Sequence, residues 1–204
     1  MKPESPSSPP RRAEAKQKTR RALVRAAREA FTEQGLWSPS LDAICEQAGF
    51  TRGAFYVHFA SREDLVAAVM EESLREVIDG VIAAGGTGGD LEATIDRYVA
   101  VAELMRRGPL REGGVRFHQL LEAGHRTPRI GRLLSGLLQD AGRRLEIAVR
   151  AARDAGRATD RVEPRELASL LLLLALGVMV ADEVDLPVDL GSARDALLRL
   201  ISPP

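Results

Sequence analysis

Ser40 to Phe59, SLDAICEQAGFTRGAFYVHF, holds the side chains whose types and spacing point to a chemistry. Arg52 can present two guanidinium donors side by side, which matches O6 and N7 of guanine in a DNA major groove. Tyr56, His58 and, just beyond the segment, Arg62 offer a phenol, an imidazole and a second guanidinium, groups that hold phosphate oxygens. Ser40, Thr51, Gly53 and Ala54 complete the candidate DNA-contact set.

That chemistry needs two short helices and a tight turn. Ser40 can cap the first helix and Asp42 places negative charge in its first turn, where the helix dipole favours it. Leu41, Ile44, Cys45 and Ala48 then share one side. Gly49 ends the helix in a left-handed conformation, and Thr51 caps a second one from Arg52 to about Phe59, anchored by Phe50, Phe55 and Phe59. The pattern is that of a helix-turn-helix, whose second helix enters the major groove.

With its flanks, this segment resembles a known family. From Thr19 to Met70 the chain is similar to the DNA-binding domain of the TetR family of bacterial transcriptional regulators, through LVRAAREAFTEQG, AGFTRGAFYVHF and SREDL in that order. Three positions depart from the usual pattern: Arg62 where a lysine is more common, Trp37 where a smaller aromatic or aliphatic is usual, and Ala54 in place of a common threonine. The resemblance implies a phosphate contact at His58 and a two-fold dimer. It also implies a four-helix interface built from about Gly136 to Ala155 and Pro164 to Ala181 of each subunit.

The composition agrees with an all-α protein, with aromatics at 4% and Ala, Leu and Arg abundant. One cysteine, Cys45, excludes an internal disulfide and suits a reducing compartment. MKPESPSSPP lacks the apolar core of a signal peptide, and the run from Leu167 to Ala181 falls short of the ~20 residues a membrane span needs, so a cytoplasmic location is expected. Net charge is zero, but residues 1–60 carry ten Lys or Arg against six Asp or Glu, a balance of +4 that leaves −4 for the rest. A positive N-terminal end on an acidic body suits a protein that meets phosphate at one end.

Three regions are expected: a disordered tail at 1–15, a helix-turn-helix domain at 16–63, and a helical ligand-binding and dimerisation domain at 64–204. Arg11, Arg12, Lys16 and Lys18 in and after the tail could reach along the DNA backbone as a basic arm. A first helix from about Thr19 to Gln34 presents Leu23, Ala27, Ala30 and Phe31 on one face. Ser61 caps a helix to about Ala83, with Asp64 completing a capping box. A glycine-rich loop ending at Asp90 precedes a helix from Leu91 to Arg107, broken at Gly108-Pro109. Further helices are expected from Gly114 to Ala123, Arg129 to about Ala155, Pro164 to about Ala181, and Asp189 to Ile201. The helix containing LASLLLLLALGVMVA is apolar all round, so a partner helix must cover its outer side, and Ala175, Gly177 and Ala181 leave room for one.

His118 and His125 lack partners at metal-ligand spacing, and Asp182, Glu183 and Asp185 read as a solvated turn. No metal, cofactor or catalysis is expected. The chain is expected to be a DNA-binding regulator, a repressor released from its operator by an apolar or amphipathic small molecule. Tyr98, Met105, Phe117 and Leu121 are the candidate pocket walls, and Arg116, His118 and Gln119 the polar groups. The alternative is a DNA-binding protein of the same fold whose C-terminal body binds a protein partner.

Overall fold

The computed structural model of the chain describes residues 9–83, 91–107 and 117–203. The described residues are helical with no strand among them, so the fold is all-α. The chain divides into two compact units that meet in sequence between Val69 and Met70.

The N-terminal unit holds helices α1 (Pro9–Gln34), α2 (Leu41–Ala48), α3 (Arg52–Tyr56) and the start of α4 (Arg62–Ile78). Leu23, Ala27, Phe31, Leu36, Ile44, Phe55, Leu65 and Val66 form its core. The apolar face read from α1 is the buried face, but the helix starts ten residues earlier than expected, inside the segment read as a disordered tail. The Thr19 hydroxyl donates to the Ala15 carbonyl at 3.1 Å, a back-bond inside a continuing helix. Ala13, Glu14, Ala15, Lys16, Gln17 and Lys18 are good helix formers that need no packing, and proline at the very start costs no hydrogen bond. Burial, which begins near Leu23, therefore marks where α1 starts to pack and not where it starts.

The C-terminal unit continues α4 through a five-residue π-helical turn, Asp79–Ala83. Its helices are α5 (Leu91–Arg107), α6 (Phe117–Arg126), α7 (Pro128–Asp154), α8 (Pro164–Glu183) and α9 (Leu190–Ile201). Leu91, Ile95, Leu145, Val149, Leu167, Leu171 and Ile201 make a core where α5, α7, α8 and α9 meet. The α6–α7 connection is tight for a steric reason. A Cβ on Gly131 would lie 2.8 Å from the Gly124 carbonyl oxygen, so only glycine lets the two helices approach this closely. Asp189 caps α9 by accepting from the Ser192 amide at 3.1 Å.

α8 runs to Glu183, past the expected end at Ala181. It is therefore 20 residues long, with a mean hydropathy of 1.8 over its best window, which by length and composition alone is enough to cross a bilayer. The apolar run from Leu167 to Ala181 is shorter than a span, and the flanking helical residues from Pro164 to Glu183 supply the added length. Only 22% of that window is buried within the protomer. Leu167, Ala168 and Leu171 face the core, while Leu170, Leu173, Leu174 and Val180 form an exposed apolar stripe.

Candidate nucleic-acid interface

The helix-turn-helix is built from local chemistry at each corner. Ser40 Oγ accepts from the Ala43 amide at 3.1 Å and opens α2. Gly49 closes it with φ at 77°, while the Gly49 amide donates to Glu46 and the Phe50 amide to Cys45, a Schellman ending that needs a left-handed residue. Thr51 Oγ1 then accepts from the Ala54 amide at 3.2 Å and opens α3. α3 stops at Tyr56 rather than near Phe59, because the His58 and Phe59 amides both donate to the Phe55 carbonyl and tighten the last turn. Ser61 Oγ accepts from the Asp64 amide, and Asp64 reaches back to the Ala60 amide, one residue before the N-cap, so the return half of the expected capping box is shifted by one residue.

Phe55 is fully buried and fixes the roll of α3. The residues around it face solvent: Thr51, Arg52 and Gly53 are exposed, Ala54 is half-buried, and Tyr56 and Val57 are 52% and 64% exposed. Arg52 lies 3.4 Å from an Asp42 carboxylate oxygen across the turn, which limits the guanidinium's wandering while leaving donors available. Ser40 and Thr51 use their hydroxyl oxygens as acceptors in capping, and each keeps an O–H to donate. A Cβ on Gly53 would meet only Thr51 Oγ1 at 3.7 Å, so nothing inside the domain requires glycine there. The space matters to whatever approaches from outside.

His58 is half-buried with Nδ1 enclosed and without a hydrogen-bond partner. Burial pushes its pKa down, and the cationic Lys16 and Arg20 on α1 push it further. Arg20 also lies over the Phe59 ring at 5.3 Å. Lys16, Arg20 and His58 thus gather positive or titratable groups at the end of α3. Arg20 was not among the candidates drawn from the sequence, although its i, i+4 spacing from Lys16 on an exposed strip of α1 was a readable signal. Val57 was missed as well, and an exposed methyl-bearing side chain on this helix suits contact with a thymine methyl.

Arg62, a candidate phosphate contact, is engaged within the protein. Its guanidinium donates to the Leu36 carbonyl at 2.7 Å and the Pro39 carbonyl at 3.1 Å, and lies over the Phe31 and Trp37 rings at 5.4 and 5.6 Å. Its Nη2 is thus committed to the protein's own turn, which the sequence does not show because those carbonyls lie more than twenty positions upstream.

In the C-terminal unit the candidate ligand residues divide. Tyr98 Oη donates to the Ala175 carbonyl at 2.7 Å, tying α5 to α8, and burial pushes the phenol up to about 12. Phe117 and His118 meet at Glu183, which accepts from the Phe117 amide and bonds His118 Nδ1, each at 2.7 Å. Burial alone would raise the Glu183 pKa, but the bonds from His118 and Phe117 outweigh it and hold the carboxylate below its ordinary range. Glu183 is therefore a latch between α6 and α8 and not the solvated turn residue expected. Gln119 is half-buried and Leu121 is exposed. The Met105 side chain and all of Arg116 lie outside the described residues.

Comparison with known proteins places this geometry. The profile of bacterial regulatory proteins of the tetR family matches residues 23–69, from the buried face of α1 into α4. The HTH-type transcriptional regulator UidR of Escherichia coli K12 is 40% identical over 72 residues, 32% of this chain and 37% of UidR. TtgR, an HTH-type transcriptional regulator of Pseudomonas putida, is 43% identical over 63 residues, 31% of this chain and 30% of TtgR. The chain thus matches about a third of the length of these relatives. A solved SmeT–triclosan complex superposes with a TM-score of 0.71 at 26% identity, covering 90% of this chain and 91% of that one.

Proposed function

The chain belongs to the tetR family of bacterial regulatory proteins, and from that premise we propose that it is a cytoplasmic transcriptional repressor that binds operator DNA as a homodimer and is released by a small molecule. One observation carries the DNA-reading half. A helix fixed by buried Phe55 and capped by Thr51 turns Arg52, Gly53, Tyr56 and Val57 outward, beside the cations Lys16 and Arg20. Arg52 reads a base edge, while Ser40, Thr51, Tyr56, His58, Lys16 and Arg20 hold phosphate. Gly53 and Ala54 let the helix come close to the duplex.

The dimer half rests on α8. Its exposed stripe of Leu170, Leu173, Leu174 and Val180 contains Gly177, where an added Cβ would meet nothing within 4 Å of its own protomer. A second copy, brought in by two-fold symmetry with α7 and α8 of each subunit, covers the stripe and spaces two reading helices for two half-sites. A bilayer is a poorer fit, because the other side of α8 is committed to the core through Leu167, Ala168 and Leu171.

The effector half rests on the family and on the SmeT–triclosan complex, in which a protein of similar fold holds a small molecule. We place the site among α5, α6 and the lower part of α4, with Tyr98, Met105, Arg116, Phe117, His118, Gln119 and Leu121 as candidates. α4 contains residues of both units, so a ligand that shifts it changes the half-site spacing. A coupling of about 1–3 kcal/mol would change operator affinity roughly 5- to 150-fold.

The test is selection of bound duplexes from a random-sequence library, followed by release of the selected duplex with lipophilic compounds, triclosan among them. A palindromic site released by at least one stabilising compound is expected. Recovery of no preferred sequence would remove the operator reading. A compound that raises the melting temperature while DNA affinity stays constant would remove the switch, since equal affinity for both states shifts nothing.

A further inference from the structure

Two of the three departures from the usual family pattern, Arg62 and Trp37, are in contact with each other. Arg62 is the first residue of α4, immediately after the reading helix and its closing turn, and Leu36, Trp37 and Pro39 lie immediately before Ser40, the cap of α2. The guanidinium therefore joins the entrance of the helix-turn-helix to its exit. It does so with two hydrogen bonds donated by Nη2, at 2.7 and 3.1 Å, and with its central carbon over the Phe31 and Trp37 rings.

We propose that Arg62 and Trp37 form a clamp across the two ends of the helix-turn-helix, and that Arg62 is a positioning residue for DNA binding in place of a phosphate contact. A planar guanidinium can stack on an aromatic ring and still donate to two carbonyls. Both bonds leave from one nitrogen, Nη2, while the guanidinium carbon lies over the two rings; a lysine ammonium keeps the charge but, as a compact point charge, cannot reach the carbonyls and cover the rings at once. The clamp fixes the loop from which Ser40 opens α2, and through α2 and the Gly49 turn it fixes the angle at which α3 meets a duplex. Burial lowers the Arg62 pKa from its ordinary value, consistent with a guanidinium withdrawn from solvent. As to DNA, the proposal rests on the operator-binding reading above; the clamp itself does not.

Trp37 is the single tryptophan of the chain, so its emission reports the clamp without a label. The experiment compares the full-length protein with Arg62→Lys, Arg62→Ala, Trp37→Leu and the Trp37→Leu/Arg62→Lys double variant, at a temperature where circular dichroism shows each fully helical. In the Arg62→Lys and Arg62→Ala proteins, without DNA, Trp37 emission should shift to longer wavelength and become more accessible to acrylamide. Affinity for the selected duplex should fall about 5- to 30-fold in both, with the slope of log affinity against log salt unchanged. On the Trp37→Leu background Arg62→Lys should cost much less, since the interaction it removes is already gone. Unaltered Trp37 emission in both Arg62 variants would overturn the clamp. Full affinity in Arg62→Lys, with a salt slope reduced by about 0.9 in Arg62→Ala, would return Arg62 to the phosphate contacts. If Arg62→Ala does not fold, Arg62→Lys decides. Failure of every chain to bind DNA would sink the operator reading, whereas the emission measurements would still decide the clamp.

Discussion

The two units of this chain are held by different kinds of contact. Between Ser40 and Asp64 the capping and turn-forming bonds at each corner join residues three to five apart: Ser40 to Ala43, Phe50 to Cys45, Thr51 to Ala54, Ser61 to Asp64. In the C-terminal unit the informative contacts span much longer stretches, with Tyr98 bonded to Ala175, His118 to Glu183 and Arg194 to Asp96. A surface that must read DNA in a fixed pose is encoded locally. The body proposed to take a partner and a ligand is assembled from distant pieces, and among the described residues a broad apolar face is left open along α8.

The largest expected effect tests whether that open face serves the reading end. Gly177→Arg places a charge in the proposed dimer contact, where desolvation without a partner is strongly unfavourable. The substitution fits the protomer, because space beside Gly177 is open and arginine is a better helix former than glycine. Sedimentation should therefore find a folded monomer, and binding to the selected duplex should be nearly abolished. A stable monomer in the unmodified protein at micromolar concentration would show that the stripe is covered by something else.

Next in size is the reading residue. Arg52→Ala should weaken binding to the selected duplex by roughly ten- to a hundred-fold and relax preference at one base pair. Binding to random DNA should fall far less. Equal losses on both, measured by titration at one salt concentration, would make Arg52 a phosphate contact and leave the base-reading role to another exposed residue of α3.

The same contrast explains what could be read from the sequence. The helix-turn-helix was legible to the residue at Ser40, Gly49, Thr51 and Ser61, because a cap or a left-handed glycine acts within one turn. The Arg62 contacts are not legible although the residue lies in the same motif, since its partners Leu36 and Pro39 are distant in sequence. Tyr98 and Leu121 looked alike as pocket walls, yet one hydroxyl is spent on an α8 carbonyl and the other side chain is 53% exposed. Apolar periodicity shows that a face is buried but not what buries it. For α8 the all-round apolar pattern implied cover on every side, and the protomer supplies that cover on one side only.

Tyr98 and Leu121 give a smaller test within the C-terminal unit. Tyr98→Phe removes a buried donor from the Ala175 carbonyl and should cost about 1 kcal/mol, lowering the melting temperature by about 2–4 °C. Leu121→Ala should change it by less than half as much, because about half of that residue stays in water and its truncation opens no enclosed cavity. If the two substitutions cost the same, the hydroxyl bond adds nothing to the α5–α8 contact, and Tyr98 is a simple apolar wall.

The smallest effect concerns the junction of α1 with the end of α3. His58 has a pKa below its ordinary value, through burial first and then through Lys16 and Arg20. In the unfolded chain the imidazole titrates near 6.5. Between that pH and the lower folded value the unfolded state binds more protons, so stability must rise with pH across this window and be independent of His58 above it. Replacing His58 with glutamine should flatten that part of the stability profile, measured by urea unfolding from pH 5 to 7.5, and the difference between the two chains isolates His58 from His118 and His125. DNA reverses the preference. A phosphate near His58 favours the imidazolium, so binding should take up a proton, and affinity for the selected duplex should rise as pH falls toward 6 in the unmodified protein but less so in His58→Gln. Parallel pH profiles of affinity for the two proteins would place the phosphate away from His58 and leave Lys16 and Arg20 to hold it alone.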